Sequence, residues 1–279
     1  KTEPTIDQIF FTLNKCYEFL EKLNVSGRFH LAGGEPLLSP FLYDIINFIS
    51  SRKSLIRLLT NGLLIDKVSA KELYKSGLRF AQISIEGCEE SNNNIRGFDS
   101  YRQTIEGAKI LKDSGIEVTL AMTLSKININ DIEPFVKNCK DFSDRFYFTR
   151  LVPVKEEDFK IQLSKKEWLH AMKRILKIEN TQIPLRDPTF CGFFFSPRRA
   201  KETLAIAGCS IGYNNIAIES NGDIYPCRRL PIVIGNVYDN DLSQVWRALL
   251  LEQLRNRDNL TGKCGDCNYR WICGGCRGI

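Results

Sequence analysis

Histidine is scarce in this chain, at 2 residues in 279, so a metal centre built from it has to draw its ligands mainly from elsewhere. No apolar run reaches the roughly 20 residues that span a bilayer, which excludes a predicted membrane helix. A secretory signal is lacking too: residues 1–8 are polar and lead into a helical pattern. A cytoplasmic protein without a membrane partner is therefore expected. The formal net charge is +6, but Lys and Arg are scattered, and no basic run interleaves with aromatics. Nucleic acid is accordingly not an expected partner.

The remainder is ordinary globular material, 43% apolar and 26% charged, long enough for one large domain and one small one. Cysteine is the excess: 10 in all, with Cys264, Cys267, Cys273 and Cys276 crowded near the end. A secreted disulfide scaffold would be shorter and would open with a signal. In a reducing compartment, clustered cysteines more often bind metal.

Periodicity predicts helix over 5–23, where Ile9, Leu13, Cys16 and Leu20 recur at three- or four-residue spacing, and then strand over 28–31. Further helices are predicted at 40–50, 69–76, 101–114 and 129–139, and strands at 55–59, 80–85, 116–124 and 145–151. Strand and helix in repeated alternation indicate a parallel sheet covered by helices, either a full or partial (β/α) barrel or an open doubly wound sheet. After Val152 the alternation stops. One amphipathic helix follows at 164–178, and a Pro- and Phe-rich linker at 181–200. From Cys209 the composition shifts to Gly, Cys and short strands. Asn221-Gly222 between 216–218 and 223–225 signals a hairpin, and Asp241 is placed to cap a helix over 241–254.

Gly33-Gly34-Glu35-Pro36 follows a strand and precedes a helix, at the edge where ligands bind in parallel α/β sheets. Two glycines allow close backbone approach, and Glu35 supplies an acceptor for a cation. A tight turn with a solvated Glu fits these residues equally well. The run Leu31-Ala32-Gly33-Gly34-Glu35-Pro36-Leu37 resembles the GGEP motif of the radical S-adenosylmethionine (SAM) superfamily, in which the glycine carbonyls and the carboxylate receive the ammonium of SAM. Other elements resemble that family in order. Thr60-Asn61-Gly62 is similar to its TNG turn. Ser84-Ile85-Glu86-Gly87 is similar to its SIDG segment, with Glu86 in place of Asp. Asn94-Ile95-Arg96-Gly97 is similar to its RG element. Thr123, in the strand 119–124 with Asn128 after it, falls where the family lines the adenine, and Arg150 ends the strand after that.

The tail places Cys209 and Cys227 ahead of Cys264-x-x-Cys267, Cys273 and Cys276. Thiolates two residues apart can ligate one metal centre. A structural zinc is one reading, but zinc ribbons usually space their two pairs further apart. The tail resembles the SPASM domain, an auxiliary iron–sulfur module. The resemblance implies one 4Fe-4S cluster on Cys209, Cys227 and Cys276, with Cys191 as a further ligand, and a second on Cys264, Cys267 and Cys273. Cys16 reads as core, and Cys88 and Cys139 as bystanders.

Together these likenesses imply a partial (β/α)6 radical SAM barrel over 1–152, a bridging helix and linker over 153–200, and a SPASM domain over 201–279. They also imply an oxidoreductase-type enzyme that uses a 5′-deoxyadenosyl radical to modify a ribosomally made peptide or protein, without a membrane partner and served by a ferredoxin or flavodoxin; a leader sequence on the substrate belongs to the same expectation. Thioether or carbon–carbon crosslinks are the implied products. The family's CxxxCxxC motif, its first strand and a last cluster cysteine are expected to lie outside the sequence given, and the fragment alone is expected to be inactive. Haem-pathway or sulfatase-type maturation proteins share such tails, and a non-catalytic zinc module that binds peptide or nucleic acid is the rival from another class.

Overall fold

The structure, a computed structural model, describes residues 3–179, 182–183, 187–194 and 208–277. Chain contacts divide it into two compact units, one spanning residues 27–185 and the other joining residues 1–26 to 186–279.

The first unit is a five-stranded parallel sheet, β1 (Arg28–Leu31), β2 (Leu55–Thr60), β3 (Phe80–Ser84), β4 (Glu117–Leu124) and β5 (Arg145–Arg150). Strand order follows chain order without reversal. That is the progression of a barrel wall; a doubly wound sheet reverses at a switch point, so the open-sheet alternative is set aside. β4, paired on both sides, is buried along most of its length, as a central parallel strand covered on both faces must be. Leu58, Ile83, Leu120, Met122 and Phe146 form its core. The Phe135 ring stands edge-on to Phe146 at 5.4 Å, one of the arrangements that the ring quadrupole favours.

The helices of this unit are α2 (Leu42–Ser51), α3 (Lys67–Lys75), α4 (Glu89–Arg96), α5 (Ser100–Asp113), α6 (Ile132–Cys139), α7 (Glu156–Ile161) and α8 (Lys165–Ile175); α1 (Ile6–Leu23) belongs to the second unit. Their starts follow local chemistry. Asp66 accepts from the Ser69 amide at 2.7 Å, and Ser164 forms a reciprocal capping box with Glu167. A Cβ on Gly107 of α5 would overlap the Gly62 carbonyl, so α5 seats against the loop after β2 only because residue 107 lacks a side chain. Periodicity did not predict α4, whose Asn-rich sequence has no apolar stripe. Side-chain bonds hold it instead, including Asn93 Oδ1 accepting from the Tyr101 amide at 2.9 Å.

The second unit contains α1 (Ile6–Leu23), the short α9 (Cys191–Phe194), and an antiparallel sheet of β6 (Ala217–Ile218), β7 (Asp223–Tyr225) and β8 (Gly235–Asn236). It also holds α10 (Leu242–Trp246), α11 (Leu249–Arg255), α12 (Gly262–Gly265) and α13 (Arg270–Cys273). The sequence pattern groups α1 with the barrel. Its apolar stripe is spent elsewhere: Cys16 and Phe19 pack on the cluster of Ile224, Val237, Leu242 and Val245, and Phe11 stacks on Tyr238 at 5.9 Å. The helix predicted over 241–254 is two helices. Asp241 does cap the first, accepting from the Ser243 amide at 2.6 Å. The break at Arg247 and Ala248 is stabilised by Arg255, whose guanidinium donates to the Trp246 carbonyl at 2.6 Å. Among the described residues no helix is long and apolar enough to cross a membrane.

Candidate functional site

Parallel strands put their C-terminal ends on one edge, and the loops that leave this edge bring the predicted cofactor residues together. β1 runs into Gly33 and Gly34, both exposed, where an added Cβ would meet nothing within 4 Å. Glu35 comes next and is held by neighbouring strand β2. Its Oε1 accepts from Thr60 Oγ1 at 2.7 Å and from the Leu37 amide at 3.2 Å. Its Oε2 accepts from the Asn61 amide at 2.8 Å. Pro36 is buried at the start of a 3-10 turn. A carboxylate offers about four acceptor positions; with three donors in place, a position on Oε2 and the negative charge remain for a cation.

β3 and β4 carry a second network. Ser84 ends β3 opposite Ala121, and Glu86 follows, 7% exposed. Glu86 Oε1 accepts from Arg96 Nη2 at 2.6 Å, and Oε2 from the Thr123 amide at 2.9 Å. The Glu86 amide donates to Asn92 Oδ1 at 2.9 Å. Asn128 Nδ2 bridges the Glu86 and Thr123 carbonyls at 3.2 and 3.0 Å. The network ties the loop after β3 to β4, with half-buried Thr123 in register with Thr149 of β5. Arg150 ends β5 opposite Leu124 and is half-buried. Sequence reading named Glu86, Arg96 and Thr123 separately. It missed Asn92, whose only signal was a polar residue repeated in a short helix.

In the second unit the Cys209 amide donates to the Cys273 carbonyl at 2.8 Å, bringing those two segments side by side. Cys227 follows β7 and forms an isolated antiparallel bridge with Leu230, and the Arg229 amide donates to its Sγ at 3.4 Å. The Cys267 amide donates to the Cys264 carbonyl, and Cys264 Sγ lies 3.5 Å from where a Cβ on Gly275 would stand. Cys276 is half-buried one residue further on. Cys191 starts α9, and its side chain lies outside the described residues. Among the described residues no three His, Cys, Asp or Glu side chains converge as a metal set. The backbone thus gathers these segments, and among the described residues their cysteines are unbridged and no three thiols meet at one point. An all-sulfur donor set of this kind suits an iron–sulfur cluster better than a hard oxygen-seeking cation.

The three other cysteines sit apart. Burial pushes the Cys16 and Cys139 thiols up to about 12, and burial, reinforced by the Asp131 charge, raises Cys88. Thiols that resist ionisation are poor ligands and poor nucleophiles.

Comparison with known proteins matches these two regions to two families. Residues 4–139 match the radical SAM superfamily, and residues 209–268 match SPASM, an iron–sulfur cluster-binding domain. The chain is 26% identical to an AdoMet-dependent heme synthase of Methanosarcina barkeri, over 95% of this chain and 82% of that protein. It is also 26% identical to the mycofactocin maturase MftC of Mycobacterium ulcerans, over 94% of this chain and 73% of that one. In fold it is similar to native anSMEcpe with bound AdoMet, at a TM-score of 0.73 and 20% identity, covering 98% of this chain and 80% of that one.

Proposed function

On the premise that this chain carries a radical SAM domain followed by a SPASM iron–sulfur domain, we propose that it is a radical SAM enzyme that modifies a ribosomally made peptide or protein in the cytoplasm. The observation that carries the SAM reading is the Glu35 carboxylate, fixed by Thr60, Asn61 and Leu37 beside two open glycines. SAM and reduced iron–sulfur clusters, when bound, supply the radical chemistry and the electrons for it. The residues of this chain bind and orient. Glu35 takes the SAM ammonium by a charge-assisted bond, and the Gly33 and Gly34 carbonyls complete its shell. Thr60 and Asn61 hold the carboxylate in place, so that its geometry is set before binding. Ser84, Glu86, Arg96 and Thr123 border the nucleoside part, and Arg150 meets it from β5. Cys191, Cys209, Cys227, Cys264, Cys267, Cys273 and Cys276 hold two auxiliary clusters, and a ferredoxin or flavodoxin delivers electrons.

The maturase relative supports a peptide substrate. The heme synthase relative, of equal identity, supports a second reading, in which the substrate is a tetrapyrrole.

The test uses the full-length protein, reconstituted anaerobically with iron and sulfide and supplied with dithionite and SAM. The reading expects 5′-deoxyadenosine, and a Glu35→Gln variant that binds SAM at least about tenfold more weakly, the usual loss on removing one charged hydrogen-bond partner. Stoichiometric zinc without sulfide would sink it. Adding a candidate ribosomal peptide with its leader, or a propionate-bearing tetrapyrrole, and following product mass tells the two substrates apart.

A further inference from the structure

Arg257 occupies a 3-10 turn (Arg257–Asn259) between α11 and the Cys264 knuckle, and only 2% of it is exposed. A guanidinium taken out of water needs partners for its N–H groups and a counter-charge. It has few. Nη2 donates to the Cys209 carbonyl at 2.6 Å, and the guanidinium carbon lies 5.2 Å from the Tyr213 ring centre. Among the described residues, nothing bonds to Nε or Nη1, and both are buried. Among the described residues no carboxylate pairs with it; the adjacent Asp258 pairs with Arg270, at 3.5 Å.

The surroundings are the cysteine-bearing segments themselves. Gly274, between Cys273 and Cys276, is left-handed at φ 67°, and a Cβ there would overlap Arg257 Nη1. A Cβ on Gly208 would overlap the Cys273 carbonyl. Two glycines therefore let the Cys209 segment, the Cys273–Cys276 turn and the guanidinium pack against one another. An ordinary fold would replace an unpaired buried cation with an apolar side chain of similar volume. Retaining it makes sense where an anion is supplied, and an iron–sulfur cluster on cysteine thiolates is an anion whose sulfurs accept N–H bonds.

We infer that Arg257 is a positioning residue for the auxiliary cluster ligated through Cys209: its unpartnered N–H groups donate to that cluster's sulfurs and its charge raises the cluster's reduction potential. The inference rests on reading the tail as a cluster domain and is independent of the substrate.

The experiment compares wild-type, Arg257→Lys and Arg257→Met full-length proteins after reconstitution. Iron and sulfide content comes first, then a redox titration followed by electron paramagnetic resonance. Loss of the cation in Arg257→Met is expected to shift the oxidised-to-reduced ratio about tenfold toward the oxidised form, ~59 mV more negative for a one-electron couple. Arg257→Lys should fall between the two. A fully loaded Arg257→Met protein with an unmoved potential overturns the inference and leaves Arg257 as a staple on the Cys209 carbonyl. If Arg257→Met does not load, apo-protein melting decides. Removal of an unpaired buried charge should leave the apo protein melting no lower than wild type, whereas a staple's loss lowers it and overturns the inference. Wild-type protein without iron and sulfide would refute the cluster-domain reading itself, a result distinct from any change confined to the variants.

Discussion

Glu86 shows how a single side chain can frame a candidate site. Its two oxygens hold Arg96 and the Thr123 amide, joining the loop after β3 to β4. The Glu86 side chain is 9% exposed and that of Arg96 29%, so the pair is shielded but not dry. Arg96→Met leaves Glu86 charged with the Thr123 amide as its remaining partner. The expected cost is about 2–3 kcal/mol, below the range for a fully buried pair because Arg96 still reaches water. Urea unfolding measures it, and a loss under about 0.5 kcal/mol would remove the pair from any framing role. Glu86, Arg96 and Thr123 were named because the segments that carry them resemble motifs of the radical SAM family. Asn92 and Ser100 complete the same network, and no local pattern marks their contacts, which depend on how α4 and α5 close over the strand ends. Arg257 was hidden for a related reason: a lone Arg in a short turn looks solvated until its burial is known.

At the scale of elements, α1 is the informative case. Its boundaries were legible: Thr5 and Gln8 form a capping box, and Asn24 ends it in the left-handed region. Its partner was not, because an apolar stripe says that a helix is buried and not against what. The strand alternation was legible from β-branched and aromatic runs between glycine stops. The split of 241–254 into α10 and α11 was not, since it depends on Arg255 reaching back to the Trp246 carbonyl. The docking of α1 predicts a pH effect through Cys16, whose thiol burial pushes up to about 12. The unfolded thiol ionises near 8.5. A folded pKa raised above the unfolded one means that this stability is fully present below the unfolded value and is lost as pH rises toward the folded one. Between about pH 9 and 12, wild type should lose about 1.4 kcal/mol per pH unit more than Cys16→Ala. Denaturant midpoints of the two proteins across that range test this, and parallel curves would place Cys16 outside the core. The same burial predicts that native Cys16 resists alkylation while exposed Cys264 reacts before cluster loading.

At the scale of the whole molecule, the division into residues 27–185 and residues 1–26 with 186–279 separates the proposed SAM residues from the proposed cluster cysteines. The Glu35 and Glu86 networks lie wholly in the first unit, and the thiol-bearing segments and Arg257 wholly in the second. Each ligand should therefore stabilise its own unit, since a ligand that binds only the folded form raises stability where it binds. Hydrogen exchange reports this locally. SAM should slow exchange at the Asn61 and Thr123 amides, which donate to the two carboxylates, and leave α10 and α11 little changed. Iron removal by a chelator should speed exchange in α10, α11 and the Cys264–Cys276 segment, and also in α1, because Cys16 and Phe19 share the tail's core and Lys22 pairs with Asp241 at 2.8 Å. The central strands β3 and β4 should keep their protection. The N-terminal helix is the decisive reporter, being some 200 residues from the tail in sequence. If iron loss leaves α1 unchanged while the tail opens, α1 is not part of the unit the clusters stabilise. If it opens with the tail, cluster binding and N-terminal order are one equilibrium.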